Sequence, residues 1–318
     1  MKLSKPEDIA AKDIQFGIEL ETVVPVNCGI AIGSYHHGIA IQTGVLPTGQ
    51  TIPAPSFRGA RWRAENDSSI SSGANFQPCE FVSPILYGEN GLAKLREMLA
   101  FIRAIGGVVN YSCGCHITVS IRSVIEVDDR QSHASFCRRL AHVAQSNAWA
   151  IYAQTGSSRH THSYCAQLPD ETGRLMRQLV RGRRPQADVL NQCPRKSMIN
   201  FQKVFSQGVI EFRAFAGTLD DAKVLHHLAT VLGLMRRAAT VQQVGRFNRK
   251  ATVKHSKIAD AVQALRRMWR LLGWVDSVPG RDCALGLFGT LHSEFGSYRT
   301  VALQMAREFE TKFPAANL

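Results

Sequence analysis

The sequence predicts an α+β protein whose sheet has one wet, concave, ligand-bearing face. Three short segments carry the prediction: Phe16-Gly-Ile-Glu-Leu-Glu21, Cys113-Gly-Cys-His-Ile-Thr-Val119 and Val209-Ile-Glu-Phe-Arg-Ala-Phe215. Side chains alternate across a pleated strand, so Glu19 and Glu21 share a face while Phe16, Ile18 and Leu20 point the other way. By the same rule His116 and Thr118 oppose Cys115, Ile117 and Val119, and Glu211 and Arg213 oppose Ile210, Phe212 and Ala214. The wet face of an ordinary half-buried strand carries neutral polar groups or scattered Lys, Thr and Ser. Carboxylates, a histidine and an arginine recurring in three strands point instead to a cation site. The strands are also separated by long helical returns, which favours α+β over a doubly wound parallel sheet.

Taken in order, residues 14–24 read as the first strand. Residues 25–60, rich in Gly, Pro, Ser and Thr, suit a functional flap or a short hairpin. Two further strands fall at 61–65 and 79–86, joined by the turn-forming stretch Asn66–Gly73. Leu92, Leu95, Met98, Leu99, Ile102 and Ile105 then recur at helical spacing, and Gly106-Gly107 ends that helix. A strand at about 115–122 precedes a helix running to about Gln154, for which Ser132 and Ser135 offer caps. A shorter helix covers 170–181, and the strand at 208–215 leads into a helix that Asp220 or Asp221 can cap. Beyond Thr240 two amphipathic stretches, 256–273 and 297–311, form a helical appendage. The domain division is therefore 1–244 for the catalytic part and 245–318 for a helical C-terminal extension packed on it.

With 318 residues, 45% of them hydrophobic, the chain can fill a real core. It has no stretch near the roughly 18 apolar residues of a membrane span, so cytoplasm is the expected compartment. The eight cysteines are scattered and read as reduced core thiols. Cys113-Gly-Cys115-His116 is a poor zinc site, because no second soft pair accompanies it and the cysteines face away from His116. A net charge of +13 attracts polyanions, and the basic run Arg174–Arg184 has two readings, a solvated helix face or a phosphate or nucleic-acid contact. No aromatic residues interleave with those arginines, and no known nucleic-acid module is present.

Hard divalent cations take oxygen ligands, and magnesium leaves several positions to water and phosphate. Glu19 and Glu21, about 7 Å apart at two strand rises, suit two neighbouring ions better than one. Glu80, in Cys-Glu-Phe-Val-Ser-Pro, and Glu211 offer further carboxylates; His116 can complete a shell, and Arg213 offers a planar fork to a phosphate. Singly, each has a bland reading: a solvated strand Glu, an interior His, a same-face Glu211–Arg213 salt bridge.

Together, Gly-Ile-Glu-Leu-Glu, Asn-Asp-Ser-Ser, Cys-Glu-Phe-Val-Ser-Pro-Ile-Leu, Asn110-Tyr-Ser-Cys-Gly-Cys-His-Ile-Thr-Val and Ile-Glu-Phe-Arg-Ala-Phe-Ala-Gly-Thr-Leu-Asp resemble the amidoligase family. That family is similar to glutamate-cysteine ligase and glutamine synthetase, and the resemblance spans about residues 14–240. It implies an ATP-dependent carboxylate-amine ligase acting through an acyl phosphate, on a curved antiparallel sheet with helices packed on its convex face. It implies ATP and two or three Mg2+ ions, with Mn2+ as a substitute, and carboxylate and amine substrates either of which can belong to a peptide or polymer. Position by position, Glu19, Glu21, Glu80, His116 and Glu211 match metal ligands. Arg213 and Arg159 match groups that stabilise the transferring phosphate, Arg195 and Lys196 match basic residues for phosphate or carboxylate, and Asp67 matches the Asp-x-Ser turn near metal or amine. Thr118 stands where a second histidine is common in the family. The alternative, from another class, is an inert or polymer-recruited nucleic-acid-binding protein using the basic surface.

Overall fold

Alternating apolar and acidic residues carry the first strand, β1, over Phe16–Pro25 in a computed structural model that describes residues 14–125, 129–156, 158–182, 184–241, 260–274 and 286–313. The strands that follow are β2 (Ile39–Ala40), β3 (Thr43–Val45), β4 (Thr51–Pro53), β5 (Ser56–Phe57), β6 (Ala60–Arg61), β7 (Arg63–Glu65), β8 (Phe76–Val82), β9 (Gly114–Ser120), β10 (Ile199–Asn200) and β11 (Val209–Ala216). The helices are α1 (Gly88–Ala104), α2 (Arg130–Ser146), α3 (Ala148–Ala153), α4 (Thr172–Arg181), α5 (Gln186–Asn191), α6 (Val204–Gln207), α7 (Asp221–Thr240), α8 (Ala261–Leu272), α9 (Gly286–Ser293) and α10 (Phe295–Lys312). The described residues divide into two compact units, one comprising Gln15–Ile117 and Ala216–Val224, the other Thr118–Phe215 and the described residues from Leu225 onward.

The first of these is the sheet unit, with strands in the order β9-β1-β8-β7-β2. β1–β8, β8–β7 and β7–β2 are antiparallel, and their register places Leu20 opposite Phe81 and Phe81 opposite Ala64. These three are completely or almost completely buried, so one face of the sheet is a dry row of apolar side chains. The register is fixed because a one-residue slip would turn that row out to water and bring the acidic face in. The β1–β8 edge is closed where Ser83 Oγ accepts from the Ile18 amide at 2.8 Å, which explains the polar Ser before Pro84. Helix α1 buries Leu92, Leu95, Met98, Leu99 and Ile102, the stripe that the 3.6-residue spacing requires.

Residues 25–60 form two small hairpins, β3–β4 and β5–β6, together with the edge strand β2. At Gly33 the chain runs so close to itself that a Cβ would lie 2.0 Å from the His37 carbonyl oxygen, so only glycine fits there. The Gly33 amide donates to Ala64 O and its carbonyl accepts from the Asn66 amide, which ties this loop to the two sides of Glu65 on β7.

The second unit is mainly helical. α2 is capped by Asp129, whose carboxylate accepts from the Ser132 amide at 2.8 Å and the Ser132 hydroxyl at 2.7 Å. Neither serine expected to cap this helix does so: Ser132 lies in its first turn, donating to the true cap, and Ser135 lies further in. The single helix expected to run to Gln154 is divided at Asn147, whose side chain donates back to Val143 O and whose backbone leaves the helical region. α4 ends at Gly182 in the left-handed conformation, with Leu175, Met176 and Leu179 buried and Arg174, Arg177, Arg181 and Arg184 exposed. These arginines face outward, away from the apolar stripe; Arg183 lies outside the described residues. Asp220, in the Ala216–Val224 stretch of the sheet unit, caps the start of α7 by accepting from the Lys223 amide at 3.1 Å. α8 packs on α3 and α10, and Trp269 on α8 donates its indole N–H to His226 Nε2 at 3.1 Å. Burial pushes His226 down to about 3, which keeps it a neutral acceptor. Of the expected 256–273 stretch, residues 256–259 lie outside the described residues, as do 242–255 and 275–285.

All seven described cysteines are buried free thiols; Cys283 lies outside the described residues. None of the described helices is long and apolar enough to cross a membrane.

Replacing Phe81 with alanine removes the centre of the apolar row. It is expected to destabilise the protein by about 3–5 kcal/mol in denaturant unfolding.

Candidate metal centre

The antiparallel register that buries Leu20, Phe81 and Ala64 also decides what lies on the opposite face. Glu21 on β1 is directly opposite Glu80 on β8, and Glu80 is directly opposite Glu65 on β7. Directly opposed residues on antiparallel neighbours have Cα atoms about 4.5–5.5 Å apart, so three carboxylates form one lateral row. All three are at most 6% exposed. Like charges directly opposite one another destabilise a sheet, and burial removes the water that would screen them.

β9 brings His116 to this row. Its Nε2 lies 3.3 Å from Glu21 Oε1, and its Nδ1 lies 3.4 Å from Glu19 Oε2 and 3.9 Å from Glu80 Oε1. One ligand atom each from Glu21, Glu80 and His116 lie within 4.8 Å of one another, close enough to share an ion. The Gly114 amide, two residues before His116, donates to Glu21 Oε2 and fixes that carboxylate's direction. Glu19, two residues before Glu21 on the same face, is more open, its side chain 30% exposed.

The electrostatic cost falls on Glu80. Burial, then the charges of Glu19, Glu21, Asp67 and Glu65, push its carboxyl up to about 10. A buried array that cannot ionise fully in its own company suits a hard divalent cation, and a donor set of carboxylate oxygens and one imidazole fits magnesium or manganese. The cysteines of Cys113-Gly-Cys115 are buried, Cys113 in a small cluster with Val23 and Ile70.

Asp67 follows β7 in a tight turn in which its Oδ1 accepts from the Ser69 amide at 2.7 Å. The remaining sequence candidates lie in the helical unit. Glu211 accepts from the Asn200 amide group at 2.9 Å and pairs with Arg213 Nη1. Arg213 Nε donates to Tyr164 O at 3.4 Å, and its own carbonyl accepts from Arg159 Nη2 at 3.0 Å. Arg159 is 5% exposed. Lys196 is exposed with its Nζ 3.9 Å from the centre of the Tyr164 ring, and Arg195 is exposed beside it. The same-face Glu211–Arg213 salt bridge anticipated from spacing is thus present, with Asn200 orienting the carboxylate.

Glu65 was missed. Its signal was the alternation in Trp62-Arg-Ala-Glu, which puts Trp62 and Ala64 on the dry side and Arg63 and Glu65 on the other. Only the pairing with β8 identifies Glu65 as Glu80's neighbour.

The chain belongs to the amidoligase family, whose model, described as "Putative amidoligase enzyme", matches residues 12–235. A solved structure described as "Crystal structure of novel glutamine synthase homolog" aligns with 99% of this chain and 74% of its own, at 9% identity and a TM-score of 0.37. No curated protein matches the sequence. Family membership supports a ligase role, with a carboxylate and an amine as substrates.

The raised Glu80 group gives a pH prediction. A carboxyl whose folded value exceeds its ordinary 4.5 contributes stability that is complete below that value and lost as pH rises through about 10. The metal-free protein is therefore expected to melt at lower temperature as pH is raised across this window. Saturating Mg2+ should reverse the loss, releasing about one proton per protein at neutral pH, measurable by calorimetry in buffers of different ionisation enthalpy. A Mg2+-induced melting shift that is the same at every pH contradicts the assignment.

Proposed function

We propose that the protein is an ATP- and Mg2+-dependent carboxylate-amine ligase that forms an amide or isopeptide bond through an acyl phosphate. The observation carrying this reading is the buried Glu21–Glu80–Glu65 row with His116 against it, which has little use except to hold cations. Glu19, Glu21, Glu80 and His116 would hold them, and Glu211 is proposed as a further ligand because it matches the family's Glu-Phe-Arg strand. Bound Mg2+ or Mn2+ would offset phosphate charge and polarise the transferring phosphoryl group.

A carboxylate is a poor electrophile, so phosphorylation by ATP precedes amide formation. The protein's task is then to hold two anions together and to support charge that spreads in the transition state. Arg213 is proposed to present its planar fork to the phosphate, with Arg159, whose guanidinium holds the Arg213 carbonyl, as its support and a second positive charge. Arg195 and Lys196 are proposed to bind phosphate or carboxylate at the surface. When the amine displaces phosphate it must lose a proton, and Asp67 is the proposed acceptor. The loop of residues 25–60 is proposed to keep water from the acyl phosphate. Residues 1–244 are proposed as the catalytic part and 245–318 as a helical extension to it. A cytoplasmic setting fits a reaction that consumes ATP.

The test is incubation with Mg2+, ATP and pooled acids and amines, with nucleotide cleavage followed and the product identified by mass. Dependence of cleavage on both an acid and an amine supports the reading; cleavage that needs neither, or none with any pool, counts against it. Glu21→Gln is expected to lower ATP cleavage on the order of 100-fold or more while the protein stays folded. Arg213→Lys should lower kcat on the order of 100-fold and leave the KM for ATP within about threefold, because a point charge replaces a fork that acts in the transition state. A change confined to KM would place Arg213 in ground-state binding only.

A further inference from the structure

Arg138 and His142 stand four residues apart on α2, so their side chains share one face of that helix. Helix α4 packs against α2, and Gln131 Nε2 in the first turn of α2 donates to Val180 O in the last turn of α4 at 2.9 Å. Pairing a first turn with a last one runs the two helices antiparallel, which carries Arg177, three residues before Val180, toward Arg138 and His142. The His142 imidazole registers the result: burial, then the charges of Arg138 and Arg177, push it down to about 4. Both charges acting on it are positive.

Nothing among the described residues offsets them. Arg138 Nε is buried without a hydrogen-bond partner, Arg177 forms no ion pair, and His142 is 7% exposed. Buried donors are ordinarily satisfied and buried charge ordinarily has a counter-charge. The acidic groups at the starts of these helices are engaged elsewhere: Asp129 accepts from Ser132 as the cap of α2, and the charge of Glu171 acts on Cys193.

We propose that Arg138, His142 and Arg177 form an anion site between α2 and α4 that takes the terminal phosphate or diphosphate of a small molecule without a metal ion. Guanidinium forks match the oxygens of both carboxylate and phosphate. Three convergent basic groups favour the phosphate, whose charge of about −1.5 to −2 exceeds a carboxylate's. Arg138 as a whole is half-buried and Arg177 is exposed, which gives an anion its approach from solvent. A phosphodiester backbone, substituted on both sides of each phosphate, could touch only the exposed Arg174, Arg177 and Arg181; an end group can pass between the helices to His142. The outward arginines of α4 then raise the local concentration of anions, which gives the chain's densest basic run a use that requires no interleaved aromatic residues. The site lies within the helical unit and stands whether or not the protein is a ligase.

The experiment is calorimetric titration of the full-length protein with inorganic pyrophosphate in EDTA, on the wild type and on Arg138→Gln, Arg177→Gln and Arg174→Gln. The wild type is expected to bind pyrophosphate with no divalent ion present and to melt at higher temperature with it. Arg138→Gln and Arg177→Gln should each weaken binding about 10-fold or more, as expected on loss of a charge-assisted hydrogen bond. Without ligand, both should melt at or above the wild-type temperature, because a like charge has gone. Arg174→Gln, on the outward face, should change affinity less than about threefold. The imidazole resonances of His142, assigned by their loss in His142→Gln, should shift as pyrophosphate is added to the wild type. ADP that binds in EDTA with the same dependence on Arg177 identifies a nucleotide as the source of the diphosphate, and pyrophosphate without ADP identifies the free anion; both support the site. No pyrophosphate binding overturns the proposal, as does binding that Arg138→Gln and Arg177→Gln leave unchanged. A DNA duplex that binds through Arg177 when pyrophosphate does not also overturns it. Should Arg138→Gln fail to fold, Arg177→Gln, at an exposed position, decides the outcome alone.

Discussion

Carboxylate repulsion is the constraint on which the sheet unit turns. Glu21, Glu80 and Glu65 lie level with one another on three adjacent strands, buried, with Glu19 and Asp67 close enough to add to the burden on Glu80. No sheet gains stability from that row. It persists because the opposite face, Leu20, Phe81 and Ala64, is dry and intolerant of a register slip, so hydrophobic burial on one side holds the acidic groups together on the other. Strain of this kind at one site, compensated elsewhere in the fold, is the usual mark of a place reserved for a ligand.

Several small features direct the acidic face. The Gly114 amide fixes Glu21, His116 reaches three of the glutamates, and Ser83 holds the start of β1 against the end of β8. Each is a short-range contact between segments 60 or more residues apart in sequence. The soft ligands nearby take no part: Cys115 is on the dry face and Cys113 is packed with Val23 and Ile70. The donor set left at the centre is hard, which is why oxygen-seeking divalent ions fit it better than zinc.

The helical unit shows a different economy. Some of its buried polar groups pair with one another, as with Trp269 donating to a neutral His226, Thr230 donating to Gln154, and Asn200 orienting Glu211. Its basic helix α4 turns exposed arginines to water and buries Leu175, Met176 and Leu179, the ordinary amphipathic arrangement.

The sequence by itself determined the strands that carry Glu19, Glu21, His116, Glu211 and Arg213, and the helices α1, α4 and α7. In each, a 2.0- or 3.6-residue period runs uninterrupted and the stop signal is a glycine, a proline or an acidic cap. It also determined the family, because the motifs recur in a fixed order. It misjudged the cap of α2 and the break at Asn147, where a side chain competes locally with the helix and periodicity carries no trace of it. Only the tertiary structure decided that Glu65 stands beside Glu80 and that His116 closes on Glu21 and Glu80. Strand register is a relation between distant segments, set by which apolar faces meet, and no local spacing encodes it.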